Sequence, residues 1–334
     1  MISSLNIPIL NSESCLLTPV LILAPIRGVT DVVYRDAFAR CFGGFDGAVA
    51  PFLQLRQGHS LRPAELGQVA PENNRALRTF PQVLTHHPPT FAAALRELRA
   101  AGHEEVNWNL GCPYPTVAGR GRGAGLLPDA KRIESILDEV TRDAPVQLSV
   151  KMRLGYHDPD EFKAVIEVLN RYPLKEVVLH ARTADQMYDG AVDVARAQQA
   201  LELCRHPFIY NGNVTTLAGL SVIGQQLPGV AAWMVGRGAL RNPFLPAQLK
   251  GESLPPPEVR RERLLKFHNH LFEGYGQWLS GDQHRMDKML AQWEYLAHVF
   301  ADPQSVFSRL RHGHSRNYKT TIEWVFRQDL KLEL

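Results

Sequence analysis

Glu105-Val106-Asn107-Trp108-Asn109-Leu110-Gly111-Cys112-Pro113 passes from a short strand-like segment directly into a turn that carries a cysteine. The glycine-rich run Gly119-Arg120-Gly121-Arg122-Gly123-Ala124-Gly125 follows at once. A free cysteine is most often a small buried hydrophobe. Cys112, however, stands between Gly111 and Pro113, outside any apolar repeat, where packing is a poor reason for its presence. At the end of a strand its sulfur can point at whatever lies above that strand.

Working outward, the same pattern recurs on both sides. Short apolar runs cover Leu21 to Ala24, Gly47 to Phe52, Thr79 to Leu84, Glu105 to Leu110, Val146 to Met152, Val177 to Leu179, Phe208 to Tyr210 and Ala231 to Val235. Most are followed by a segment with apolar residues at helical spacing, such as Phe91, Ala94, Leu95 and Leu98, or Ile133, Ile136, Leu137 and Val140. Asp129 after Pro128 is suited to cap the second of these helices, and Asp158-Pro159 to start the next. Alternating strands and one-sided helices predict a parallel sheet of the α/β class. Eight of them over about 230 residues predict a closed (β/α)8 TIM barrel. A doubly wound open sheet expects GxGxxG after its first strand, and Ala24-Pro25-Ile26-Arg27-Gly28 does not supply it.

The proline cluster in Gly251-Glu252-Ser253-Leu254-Pro255-Pro256-Pro257 marks a boundary, placing the barrel in residues 1–250 and an all-helical C-terminal domain in residues 251–334. There Met286, Met289, Leu290, Trp293, Leu296, Ala297 and Phe300 form one stripe, better suited to core than to a ligand. Arg309, Arg311, Arg316 and Lys319, with His312 and His314 between them, are candidate RNA-phosphate contacts, although a charge run is more often a solvated face.

With 334 residues, 45% hydrophobic and 21% charged, the composition excludes disorder and a fibrous fold. Neither a membrane-spanning apolar run nor a secretory leader is expected. Cys15, Cys41, Cys112 and Cys204 show neither CxxC nor metal-ligand spacing, which predicts a reducing, cytoplasmic setting and no metal. The net charge of +3 is compatible with a polyanionic partner without demanding one.

In such a barrel the active site lies at the C-terminal strand ends. The polar residues there form a set: Gln82, Asn109 and Cys112, Lys151 and Arg153, His180 and Arg182, Asn211 and Asn213, and Gly236-Arg237-Gly238. Asn211-Gly212-Asn213 and Gly236-Arg237-Gly238 suit a phosphate cup after the seventh and eighth strands. A lysine near a flavin N1 and O2 stabilises the charge that appears on reduction, so flavin mononucleotide (FMN) is a sensible occupant. A sugar phosphate fits the spacing as well.

Several long motifs in order carry a resemblance: APIRGVTD at Ala24 to Asp31, NLGCP at Asn109 to Pro113, SVKMRLG at Ser149 to Gly155, VLHARTADQMYDG at Val178 to Gly190, NGNV at Asn211 to Val214 and VGRGALRNP at Val235 to Pro243. From about Leu21 to Leu296 the chain resembles the tRNA-dihydrouridine synthases, and among them the bacterial branch called DusC, which acts on the D-loop uridine 16. The resemblance implies FMN held by Pro25, Ile26, Gln82, Lys151, His180, Asn211, Asn213, Gly236 and Arg237. It implies NADPH (or NADH) as reductant, tRNA as partner and Cys112 as the general acid at uracil C5. Asn109, Arg153 and Arg182 fall to the substrate, and Arg120 and Arg122 to a mobile loop closing over it. A monomer is expected.

The chain also departs from that family. Ile26 replaces a common methionine, Arg27 a common acidic residue, Pro115 a common lysine, Asn213 a common acidic residue and Ala291 a common basic one. These departures leave the flavin-plus-cysteine chemistry in place and leave open another tRNA uridine or an rRNA uridine; the competing readings are a small-molecule flavin reductase, which needs no basic helical domain, and an RNA-binding relative without catalysis.

Overall fold

The computed structural model describes residues 18–55, 57–58, 60–313 and 317–333. Cys15, most of the expected leader, His314 and Arg316 therefore lie outside the described residues. Eight barrel strands can be numbered β1 (Leu21–Leu23), β2 in two pieces (Gly47–Val49 and Leu53–Gln54), β3 in two pieces (Thr79–Phe80 and Gln82–Leu84), β4 (Glu105–Leu110), β5 (Gln147–Gly155), β6 (Leu174–Thr183), β7 (Phe208–Asn211) and β8 (Ala232–Val235). Every pairing between them is parallel, each strand pairs with the next, and β8 returns to β1 through Leu21↔Trp233 to Leu23↔Val235. The sheet thus closes as a barrel. Helices such as Pro88–Ala100 and Ala130–Val140 cover it outside, burying the apolar residues that their spacing predicts.

Register carries the functional reading further than strand count does. Asn109 pairs with Lys151, and Arg153, His180, Asn211 and Met234 are successive partners across β5 to β8. Polar strand-end residues far apart in sequence therefore sit at one level of the barrel. The breaks in β2 and β3 fall at Ala50 to Phe52 and at Pro81, where a proline has no N–H for the ladder. The apolar run alone reads each as one strand.

β6 is longer than its run Val177 to Leu179, because Lys175 and Glu176 precede it and His180, Arg182 and Thr183 extend it as polar strand residues. The helix expected to start at Asp158-Pro159 begins at Phe162 instead. Glu161 accepts the backbone N–H groups of Tyr156 at 2.8 Å and Asp158 at 3.3 Å, holding the preceding turn out of helix.

Beyond residue 256 come helices Pro257–Trp278, Asp282–Leu296, Pro303–His312 and Tyr318–Val325. The expected stripe is interrupted: the helix ends at Leu296, and Phe300 bridges to Leu330. This region shares one apolar core with the barrel helices. Phe267 packs edge-on to Tyr34, Phe38 and Phe42. Asp31 accepts from the Tyr275 hydroxyl at 3.1 Å and from Lys288 at 2.8 Å, while Gln292 donates to the Val29 carbonyl at 2.9 Å. Helix Asp282–Leu296 is thereby fastened to the loop after β1. Among the described residues no helix is long and apolar enough to cross a membrane.

Glu176, at the opposite end of the barrel from the strand-end set, is 8% exposed. Burial pushes its carboxyl up to about 7, with help from Glu105 and against Lys175 and Arg78. An unfolded glutamate titrates near 4.3, so between those values the folded chain holds the extra proton and stability falls as pH rises. Glu176→Gln is expected to be the more stable protein at pH 8, by about 1–3 kcal/mol, with the gap shrinking by pH 5. Denaturant melts of both proteins at the two pH values measure this.

Candidate functional site

A cavity of about 650 Å³ opens over the C-terminal ends of the strands. Thirteen of the sequence-derived candidates line it: Pro25, Ile26, Gln82, Asn109, Cys112, Lys151, Arg153, His180, Arg182, Asn211, Asn213, Gly236 and Arg237. Arg120 and Arg122 do not, nor do Arg309, Arg311 and Lys319. Arg309 lies over the Trp324 ring at 4.3 Å in the helical region.

The Cys112 turn is built from β4 outward. Asn109 Oδ1 accepts the backbone N–H groups of Gly111 at 3.0 Å and Cys112 at 2.9 Å, closing the chain just after the strand. Since only an oxygen can accept two N–H groups, the Asn109 amide must donate to Gln82 Oε1, at 2.7 Å. Gln82 then donates to Asn107 Oδ1 at 2.8 Å, and Asn107 to Ser149 Oγ at 2.9 Å. Four buried polar side chains on three strands are thus satisfied in one direction.

The glycine run seals this turn from behind. Ala124 N–H donates to the Cys112 carbonyl at 3.1 Å. Gly123 has φ +57°, and a Cβ there would lie 2.8 Å from the same carbonyl oxygen. At Gly125 a Cβ would lie 2.1 Å from Ala118 O. With Ala124 and Leu126 also buried, the run forms a packed 3-10 turn. Its second half thus buttresses the Cys112 turn, its glycines serving close approach as well as backbone freedom, while Arg120 ahead of it is exposed and a Cβ at Gly121 would meet nothing within 4 Å.

Charge in the cavity is strongly one-sided. Arg27, Lys151, Arg153, Arg182, Arg237 and Arg241 line it against the single carboxylate of Glu294. Burial, with Arg153 nearby, brings Lys151 down to about 7. The lysine has no hydrogen-bond or ion-pair partner among the described residues. Burial lowers Arg153 to about 10 as well, and its guanidinium donates to Gly111 O at 2.9 Å and Thr183 O at 2.8 Å. His180 is held well below its usual range by burial and by Arg153, Lys151, Arg182 and Arg237. Its Nε2 accepts from Arg182 Nη1 at 3.1 Å, so the ring is neutral and the proton sits on Nδ1. An anionic ligand would relieve this crowding of cations.

Arg182 is 1% exposed and fully engaged: beyond His180 it donates to Asp189 O at 3.2 Å, Gly190 O at 2.7 Å and Asn213 Oδ1 at 3.0 Å. It braces the loop after β6 against the loop after β7. At Gly238 a Cβ would meet Val214 O at 2.3 Å, so the loops after β7 and β8 touch backbone to backbone. Asn211 donates to Met234 O at 2.7 Å from the same wall.

Cys112 is 8% exposed and packs with Leu84 and Val117, against Phe52. Burial pushes its thiol up, opposed by the Tyr114 N–H and by Arg27, Arg153 and Lys151. At neutral pH it carries its proton and can give it away.

Other cavity residues escaped the strand-end reading. Tyr188 faces the guanidinium groups of Arg153 and Arg237, each 5.3 Å from its ring centre, and Arg237 also donates to the Tyr188 carbonyl at 3.0 Å. Its place within the motif ending at Gly190 was the available signal. Ala291, Glu294 and Tyr295 reach the cavity from helix Asp282–Leu296, which no count of strand ends can foresee. No group of three or more His, Cys, Asp or Glu with metal-site geometry occurs among the described residues.

Comparison with known proteins is consistent with this geometry. The family described as Dihydrouridine synthase (Dus) matches residues 22–332. A tRNA-dihydrouridine(16) synthase of Ralstonia nicotianae is 30% identical over 71% of this chain and 74% of its own length. A probable tRNA-dihydrouridine synthase of Rhodobacter capsulatus is 28% identical, covering 80% and 82%. Among solved structures, morphinone reductase aligns over 72% of this chain and 87% of its own with a TM-score of 0.52 at 12% identity, a likeness of fold alone. With a match spanning nearly all of its described length, the chain belongs to the dihydrouridine synthase family.

Proposed function

We propose that this protein reduces the 5,6 double bond of a uridine in tRNA to 5,6-dihydrouridine, with FMN as cofactor and NADPH, or NADH, as reductant. The observation that carries the reading is a protonated, buried thiol at the mouth of a cavity whose cations outnumber its carboxylates. The cationic walls and the close-packed β7 and β8 loops suit a phosphate-bearing, polar cofactor. Gln82, Lys151, His180, Asn211, Asn213, Gly236 and Arg237, with Pro25 and Ile26, would hold it. When bound, FMN supplies hydride to uracil C6. Cys112 then gives its proton to C5, and the Asn109 amide fixes where the sulfur stands. Arg153, tied to Gly111 O, orients the same turn.

The target uracil must leave the RNA stack to reach the cavity, so a phosphate-gripping surface is required. Residues 251–334, with Arg309, Arg311 and Lys319 exposed on them, are assigned that role as an RNA-binding domain. Position 16 of the D-loop is the favoured target, supported by the relative of that name at 30% identity. We read the chain as a cytoplasmic monomer in which Cys41, Cys112 and Cys204 are free.

Dihydrouridine mapping of total RNA from a strain lacking the gene, beside its parent and a complemented strain, tests the reading. Loss at one D-loop uridine, restored by complementation, is the expected result. An unchanged map at every tRNA position would overturn the assignment.

A further inference from the structure

Arg27 stands where the assigned chemistry has no use for it so far. It follows the loop residues Pro25 and Ile26 and lines the cavity from the side of Cys112. Its guanidinium carbon lies 5.1 Å from the centre of the Phe52 ring, and Phe52 packs against the small apolar cluster of Leu84, Cys112 and Val117. The ring is a platform with the reactive turn on one part and a planar cation on another. Stacking on an aromatic face limits where that cation can go.

We propose that Arg27 is a positioning residue for charge: held by Phe52, it stabilises the thiolate that Cys112 becomes after protonating the uracil. The inference rests on Cys112 being the proton donor. In that step the S–H bond breaks as the C5–H bond forms. The electron pair of the S–H bond stays on sulfur, uracil having already taken two electrons and a hydrogen at C6 as hydride from the reduced cofactor. The sulfur is left anionic in an apolar cluster, where an unpaired charge is costly. Water then returns the proton.

Other groups act on the same sulfur and must be separated from Arg27. Lys151 and Arg153 approach from β5, the Tyr114 N–H from its own loop, and Tyr188 from the loop after β6. Glu294 is the carboxylate of the cavity wall. Arg153 is buried and tied to the backbone at Gly111, and Lys151 is half-buried and assigned to the cofactor. Arg27 is the exposed member and the one stacked beside the cysteine, so it can be changed with least disturbance to the wall.

The test follows the rate of Cys112 alkylation by iodoacetamide against pH in the FMN-loaded protein, read on the Cys112 peptide by mass spectrometry. Arg27→Gln is expected to move the midpoint upward by about 0.5 pH unit or more, and Arg27→Lys to restore most of the shift. Phe52→Leu, which removes the platform and keeps the charge, is expected to fall between them. An Arg27→Gln profile that overlays the parent would overturn the proposal. So would a variant that loses tRNA affinity with an unmoved thiol profile, since Arg27 would then serve RNA phosphate alone. Because the readout is the thiol itself, it stands or falls separately from RNA reduction: a protein inactive on every tRNA could still show the coupling.

Discussion

Cys112→Ala is expected to retain FMN and to accept hydride from NADPH at close to the parent rate, while its rate of tRNA reduction falls by about 100-fold or more. That factor is the lower range of what a positioned general acid contributes. The separation of the two half-reactions follows from the geometry. The cysteine belongs to the cluster with Leu84, Val117 and Phe52, whereas the proposed cofactor contacts come from the loop after β1, from β3, and from β5 to β8 and their loops. Removing the sulfur leaves a small gap at the end of β4 and no unpaired polar group, because the turn is fixed through the backbone N–H of residue 112. Stopped-flow bleaching of the flavin by NADPH, followed by its reoxidation with tRNA, measures both rates on one sample. Slow bleaching would place Cys112 on the cofactor side. Unchanged reoxidation would remove it from the chemistry.

The same turn shows how far the residues could be read without coordinates. Its place at a strand end was legible, because a strand followed by Gly-Cys-Pro cannot carry the cysteine into a helix. The circle of Gln82, Lys151, His180, Asn211 and Arg237 was legible too, since parallel strands of a closed barrel deliver their C-terminal ends to one face. Two things could not be seen. Which polar residues face the ligand and which brace the wall depends on hydrogen-bond partners, as Arg182 shows by spending its guanidinium on His180, Asp189, Gly190 and Asn213. Contributions from another region have no local signal: Glu294 and Tyr295 arrive because Tyr275, Lys288 and Gln292 bind helix Asp282–Leu296 to Val29 and Asp31. Glycine spacing likewise suggests motion, and only the contacts at Gly123 and Gly125 reveal packing.

Asn109 offers the second large effect, and a distinction between contact and support. Asn109→Leu removes the acceptor of two N–H groups and the donor to Gln82 Oε1 in a position 7% exposed. Buried groups left unpaired cost about 1–3 kcal/mol each, so a loss of about 3 kcal/mol or more is expected, together with tRNA reduction lowered about as far as in Cys112→Ala. Asn109→Asp should behave quite differently. A carboxylate still accepts both N–H groups but cannot donate to Gln82. The Gln82 and Asn107 amides can both reverse, so that Gln82 donates to residue 109, Asn107 donates to Gln82, and the Ser149 hydroxyl donates to Asn107 Oδ1. A hydroxyl can end such a chain in either direction, which makes Ser149 the residue that permits the reversal. Asn109→Asp is therefore expected to fold near parental stability and to keep a substantial rate, whereas Ser149→Ala leaves one Asn107 amide group unpaired whichever way the chain runs and should cost about 1–3 kcal/mol in either background. Denaturant melts of the parent, Asn109→Leu, Asn109→Asp and Ser149→Ala, with tRNA reduction measured beside them, give these costs. A large loss of stability in Asn109→Asp alone would show that the chain does not reverse, and equal losses of rate in Asn109→Asp and Asn109→Leu would move Asn109 from support of the turn to direct contact with the uracil.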